Sequence, residues 1–233
     1  MAGTMVHMLT AKYILEELPP ENRILCDGAF YVGNFTPDVI QVREGYKREW
    51  KLHTHFRDAI RDDAFAQKDN LKLFESRLED FAKRELGKWS TNKERYAFTL
   101  GYITHMLTDE YFMCSIREEF MEKIAVLGLT QYDAKTFEHF TFDVNQIDFR
   151  IAATEEGMDD VCKKIRTAPV FAVDDMLSIE EVEAGRQWVL QMYYDSNPAY
   201  TEPVYLSYER MTAFAKNAAK RIVKELSGCK FKQ

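Results

Sequence analysis

The feature that most constrains this chain is a helical pattern that begins at Thr91 or Asn92 and runs past Ile124. Inside it, residues 101–111 read Gly-Tyr-Ile-Thr-His-Met-Leu-Thr-Asp-Glu-Tyr. His105 and Asp109 stand four residues apart, and on a helix that spacing stacks their side chains on one face, one turn apart. An imidazole and a carboxylate so placed either share a metal ion or bond to each other. Gly101 falls one turn before His105, where it costs about 1 kcal/mol relative to alanine unless close packing requires it. The missing side chain leaves room there for another backbone or for a bound group.

The chain has five histidines: His7, His53, His55, His105 and His139. His139 opens a second His-x-x-x-Asp, ending at Asp143 in another helical segment. Four of the five sit among apolar or aromatic neighbours, while His53 belongs to a charged, solvent-facing stretch over residues 45–54. Buried imidazoles need partners for both ring nitrogens, and a metal ion or a core hydrogen bond can supply them.

Composition narrows the class. With 233 residues, 46% hydrophobic and 30% charged, the chain can bury a substantial core and is expected to form one domain over residues 1–233. A formal net charge of −7 disfavours duplex nucleic acid as a partner, since phosphate contacts need a basic face. A nucleotide or lipid phosphate stays compatible, because metal ions supply positive charge locally. Cys26, Cys114, Cys162 and Cys229 are scattered and form no Cys-x-x-Cys, which fits reduced thiols and a cytoplasmic setting. No signal peptide and no transmembrane segment are expected.

Along the chain, residues 4–18 suit an amphipathic helix with Thr4 as N-cap and Pro19-Pro20 as its stop. Residues 26–40, with Gly28, Gly33, Asn34 and Pro37-Asp38 among aromatics, read as an irregular loop that packs inward and lines a cavity. Residues 58–66 look helical, as does the period through Leu71, Phe74, Leu78, Phe81 and Leu86, ending near Gly87. Residues 133–154 form another helix with Phe137, Phe140, Val144, Ile147 and Ile151 on its apolar side, broken by Gly157. A short helix over 159–167 follows. Ser178 and Glu181 make a capping box for residues 179–194, and residues 207–226 form the last helix before Gly228. Strand-type alternation is nearly absent, so the expected class is all-α, a multi-helix bundle.

His7 in a first helix, Thr36-Pro37-Asp38, Thr54-His55-Phe56 and Gly101-Tyr-Ile-Thr-His105-Met-Leu-Thr-Asp109 stand in one order. That order resembles the zinc-dependent phospholipase C family, whose all-helical fold is shared with zinc-dependent single-strand nucleases. The resemblance covers roughly the first half of the chain, and more loosely the helix bearing His139 and Asp143. It implies that Asp38, His55, His105 and Asp109 surround a first zinc, with Asp38 also placed to orient or deprotonate the attacking water. It implies that His7 serves a neighbouring zinc bridged by Asp109, and that His139 and Asp143 stand for the family's later His-x-x-x-Glu pair. Two positions depart from the pattern. No tryptophan stands ahead of His7, where extracellular members use a mature N-terminal one as ligand, and no histidine follows Asp109 closely. Glu110 and Cys114 are near but not in the matching place, so a one- or two-metal site is easier to build than three, within a range of one to three zinc ions.

The function so implied is metal-dependent hydrolysis of a phosphoester by activated water, phospholipase C-like, on a phospholipid head group or a small phosphoester. Two other functions compete with it. One is a nuclease, nucleotidase or phosphomonoesterase on the same scaffold; the other is a non-catalytic helical protein with a structural metal site. Aromatics near the motifs, from Phe30 to Phe140, are read as core more than as pocket lining.

Overall fold

The computed structural model describes residues 1–227, and among these the fold is all-α. Gly228 and Cys229 lie outside the described residues. The helices are α1 (Thr4–Glu17), α2 (Asp27–Phe35), α3 (Arg48–Thr54), α4 (Lys68–Lys88), α5 (Lys93–Met113), α6 (Ile116–Ala125), α7 (Ala134–Thr154), α8 (Met158–Thr167), α9 (Ile179–Leu190) and α10 (Tyr208–Ser227). Strand-like pairing among the described residues is a single bridge between Val173 and Leu177. No helix of the described residues is long and apolar enough to cross a membrane. Cys26, Cys114 and Cys162 are unpaired.

α5 is buried along nearly its whole length from Ala97 to Met113, and α1, α2, α4 and α10 all pack on it. It starts where the side chain of Asn92 accepts the Arg95 N–H at 3.0 Å, which satisfies one of the free N–H groups of the first turn. It does not run on past Ile124. Ser115 leaves the helical region at φ −147° and its hydroxyl donates to the Tyr111 carbonyl at 2.6 Å, so α6 starts as a separate helix.

Residues 26–40 are not a loop. They form α2 and then a 3₁₀ segment, Thr36–Val42. Low helix propensity at Gly28, Gly33 and Asn34 is overridden by packing: a Cβ on Gly33 would lie 1.9 Å from the Phe98 carbonyl oxygen, and one on Gly101 would lie 2.1 Å from that of Phe30. The two glycines let the backbones of α2 and α5 touch. That crossing brings the Asn34 side chain within 2.8 Å of Thr104 Oγ1 and its carbonyl beside His105.

Residues 58–66 are mostly turn, with a short 3₁₀ piece at Asp62–Ala64; the chain reverses through left-handed Phe56 (φ 56°) and Ala59 (φ 62°). Thr4 is the first helical residue of α1 rather than its cap, because Gly3 stands at the N-cap. The acceptor comes from across the fold instead: Val6 N–H donates to Asp148 Oδ1 of α7 at 3.3 Å. Ser178 and Glu181 form the expected capping box of α9, whose last turn passes into a π turn, Gln191–Asp195.

Candidate metal centre

Four motif segments meet where α1, α2–3₁₀, α3 and α5 converge, and they fasten one another. Thr54 donates to the Pro37 carbonyl at 2.9 Å, Tyr102 donates to the Thr54 carbonyl, and Thr36 donates back to Val32 at 2.7 Å. Phe56, directly after His55, is held in its left-handed conformation by ring contacts with Phe81 at 5.1 Å and Tyr102 at 5.9 Å. Such a conformation costs about 1–2 kcal/mol in a non-glycine residue, and here packing supplies it. These bonds explain why threonine, proline, tyrosine and phenylalanine accompany the ionisable residues.

The result is a buried cluster of five: His7, Asp38, His55, His105 and Asp109, none more than 6% exposed. Ligand-type atoms of His7, Asp38 and His105 lie within 4.8 Å of one another, as do those of His55, His105 and Asp109. The His7 and His105 rings stack at 3.7 Å. Asp109 addresses both sides, with Oδ1 at 3.3 Å from His7 Nε2 and Oδ2 at 3.5 Å from His105 Nε2 and 3.6 Å from His55 Nε2. The backbone N–H of Ala2 donates to Asp109 Oδ1 at 2.8 Å.

Tautomers follow from the backbone. His105 Nδ1 lies 2.6 Å from the Asn34 carbonyl and His55 Nδ1 lies 2.8 Å from that of Lys51, so both Nδ1 atoms carry the proton and donate. Both Nε2 atoms are then bare lone pairs, and they face each other at 3.2 Å. Two lone pairs cannot bond to each other. His7 has neither ring nitrogen in a hydrogen bond, and Asp109 Oδ2 has no donor. Buried acceptors left in this state are costly, and a cation among them satisfies the whole set. The donor set of imidazole nitrogens and carboxylate oxygens, with Nδ1–H anchored on carbonyls, suits zinc.

Charge states agree. Burial, aided by His105, pushes the His7 pKa down to about 4, and burial pushes His55 down to about 4 against the pull of Asp38, so both rings are neutral near pH 7. Burial works to raise Asp38, but Lys51 and His55 outweigh it and hold the carboxyl well below the usual range. Burial likewise opposes Asp109, and the neighbouring His105 and His7 imidazoles outweigh it and hold the carboxyl well below the usual range.

His139 and Asp143 are not brought to the cluster. The face of α7 turned toward the site carries Phe137, Thr141, Val144, Asn145 and Asp148, which line the adjoining cleft. Asp143 points elsewhere: its carboxylate accepts the N–H groups of Val204, Tyr205 and Leu206 at 2.7, 2.6 and 2.8 Å. His139 lies edge-on to Tyr205 at 5.0 Å. Their matched spacing reflects helical geometry, and tertiary rotation of α7 assigns them to anchoring a loop. Phe137, expected on the apolar side, is 61% exposed at the cleft mouth. Of the motif aromatics, Phe30, Tyr31, Phe35, Phe56, Tyr102 and Phe112 are core, and Phe140 lines the cleft. Neither close-spaced group of ligand atoms includes Glu110 or Cys114, and burial pushes the Cys114 thiol up to about 11, which keeps it protonated. His53 is exposed, as expected, and pairs with Asp58 at 2.7 Å.

Sequence reasoning missed Lys51. It lies in the charged stretch over residues 45–54 whose sequence points to solvent, yet its ammonium turns inward to 2.6 Å from Asp38 Oδ1. The available signal was its place one helical turn before His55, on the same face of α3.

No curated protein and no solved structure matches this chain. Residues 6–112 match the model of the family described as zinc dependent phospholipase C, and that stretch carries all five residues of the cluster. Over that stretch, a little under half of its length, the chain is similar to the zinc dependent phospholipase C family.

Proposed function

We propose that this protein is a zinc-dependent phosphoester hydrolase in which His7, Asp38, His55, His105 and Asp109 are the metal ligands. One observation carries the reading: the bare Nε2 atoms of His55 and His105 face each other at 3.2 Å beside the donor-free Asp109 Oδ2. A satisfied hydrogen-bonded core would put a proton between such atoms. The chemistry zinc supplies when bound is Lewis acidity, activating water near neutral pH and offsetting charge on a phosphoryl oxygen.

The chain's own residues do the rest. The Asn34 and Lys51 carbonyls fix the orientation of His105 and His55. Asp109, with one oxygen toward His7 and the other toward His55 and His105, is suited to bridge two ions. Asp38, held ionised by Lys51 and His55, accepts from the attacking water and so orients or deprotonates it. Lys51, at the same edge of the cluster, offsets negative charge on the phosphoester. Burial keeps the cluster dry except toward the cleft, which strengthens each of these interactions.

The test is elemental analysis of the purified protein beside turnover of phosphatidylcholine, single-stranded DNA and phosphomonoesters. One or two zinc ions per chain together with hydrolysis of at least one ester is the expected result. Protein that stays metal-free after zinc is supplied would overturn the reading. Zinc retained without hydrolysis of any ester would leave a structural site.

A further inference from the structure

Next to the cluster opens a cleft of about 390 Å³, whose lining includes Asp38 and Lys51 and continues onto α6, α7 and the π turn. Its wall on the side of α3 and α6 is basic. Arg48, Lys51, Arg57 and Arg117 all line it. The carboxylates that face these four cations are fewer than the cations.

The carboxylates lining the cleft are Asp38, Asp62 and Asp148. Asp38 belongs to the metal cluster and is already paired with Lys51. Asp148 is turned onto the N-terminal backbone of α1, and burial pushes its carboxyl up to about 7, so it carries only part of its negative charge near neutral pH. Asp62 alone remains, and it is shared: Arg57 reaches its Oδ1 at 2.6 Å while Arg48 reaches its Oδ2.

Arg57 is 2% exposed, and its Nε has no hydrogen-bond partner although its guanidinium stacks 4.8 Å from the Phe65 ring. Arg117 is in a worse position. It has no ion pair or hydrogen bond among the described residues, and its guanidinium lies 5.6 Å from the Phe140 ring. Burial and the nearby charges of Arg48 and Arg57 disfavour its charged form, with only Asp62 in its favour. The half-buried guanidinium of Arg117, without a carboxylate, presents a planar donor fork to the cleft, and such a fork is suited to a bound anion.

We propose that Arg117 and Arg57, flanked by Arg48 and Lys51, form an anion subsite beside the metal centre, so that the preferred phosphoester carries a second anionic group near the scissile phosphorus. The inference rests on the metal-centred reading above and specifies its substrate class. A cationic head group such as choline would meet four like charges here. A phosphate or carboxylate on the leaving group, from an anionic lipid head group or from a soluble ester, would meet the unpaired donors of Arg117 and Arg57 Nε. The guanidiniums bind and orient this group; the bond to phosphorus is broken by the attacking water at the cluster.

The test titrates the protein calorimetrically, with zinc present, using phosphoglycolate and phosphocholine. These monoesters offer the same phosphoryl group and differ in an anionic against a cationic end. Phosphoglycolate is expected to bind at least about tenfold tighter, and Arg117→Gln to bring the two within about threefold by weakening phosphoglycolate alone. Arg117 is the residue to change because it is only half-buried, and circular dichroism checks that the variant folds. Equal binding, tighter phosphocholine, or a preference untouched by Arg117→Gln would overturn the subsite.

The comparison sets two ligands against one protein, so it reads the subsite whether or not zinc is retained. Charge preference without hydrolysis of any ester would remove the enzymatic reading and leave the subsite. Hydrolysis without charge preference would do the opposite. Turnover of dihexanoyl phosphatidylserine over the phosphatidylcholine would assign the anion to a lipid head group, and turnover confined to a soluble bisphosphate would assign it to a free ester; either supports the subsite.

Discussion

Two helices carry the same four-residue spacing of histidine and aspartate, and the fold uses them differently. On α5, His105 and Asp109 point into the meeting place of four segments and are left with bare acceptor atoms. On α7, Asp143 accepts from three backbone donors and His139 rests against Tyr205. Spacing creates the opportunity for a shared ligand, and the unsatisfied lone pair identifies where it is taken. A carboxylate taken up by backbone donors and set apart from the imidazoles anchors the chain instead.

The sharpest way to break the comparison is a pair of substitutions. His105→Ala is expected to release zinc and lower turnover by about three orders of magnitude while keeping helical content, because it removes a ligand. His139→Ala should leave zinc content unchanged and turnover within about twofold, since it touches only a ring edge. Loss of zinc in His139→Ala, seen by elemental analysis, would return α7 to the metal centre.

Asp143→Ala sharpens the other side. Three N–H groups would lose a charged acceptor, and the expected cost is about 3 kcal/mol of unfolding free energy by urea denaturation, with zinc per chain unchanged. An unchanged midpoint would mean that the anchor contributes little.

The most gradual effect is in pH. His7 and His55 are depressed to about 4 in the fold, from an ordinary value of 6.5. Below 6.5 the unfolded chain binds protons that the folded rings refuse. Stability from this source is therefore fully present above pH 6.5 and is lost as pH falls toward 4. The expected slope is on the order of 1 kcal/mol per pH unit for each ring, read by denaturation of the metal-free protein. His55→Gln should flatten the profile across that window; an unaltered profile would show that the ring is not buried neutral.

Much of the scaffold was legible. Helices α1, α4, α5, α7 and α10 follow from long apolar periods, and the caps at Asn92 and Ser178 from their own chemistry. Five of the seven candidate site residues converge. The rest was hidden for identifiable reasons. α2 carries glycines that argue against a helix until α5 lies against them, and Lys51 sits in a sequence of charges where its place one turn before His55 is a faint sign that it turns inward. The basic wall draws on α3, the turn after it, and α6, so no local window contains it.

The sequence by itself determined the helical class, the order of the motifs and the four-residue pairings, because each depends on neighbours within one or two turns. Only the tertiary structure decided which pairing faces the site, which glycines admit another backbone, and which cations lack a carboxylate. Those outcomes depend on how each helix is rotated about its axis, and that rotation is set by groups far away in the chain.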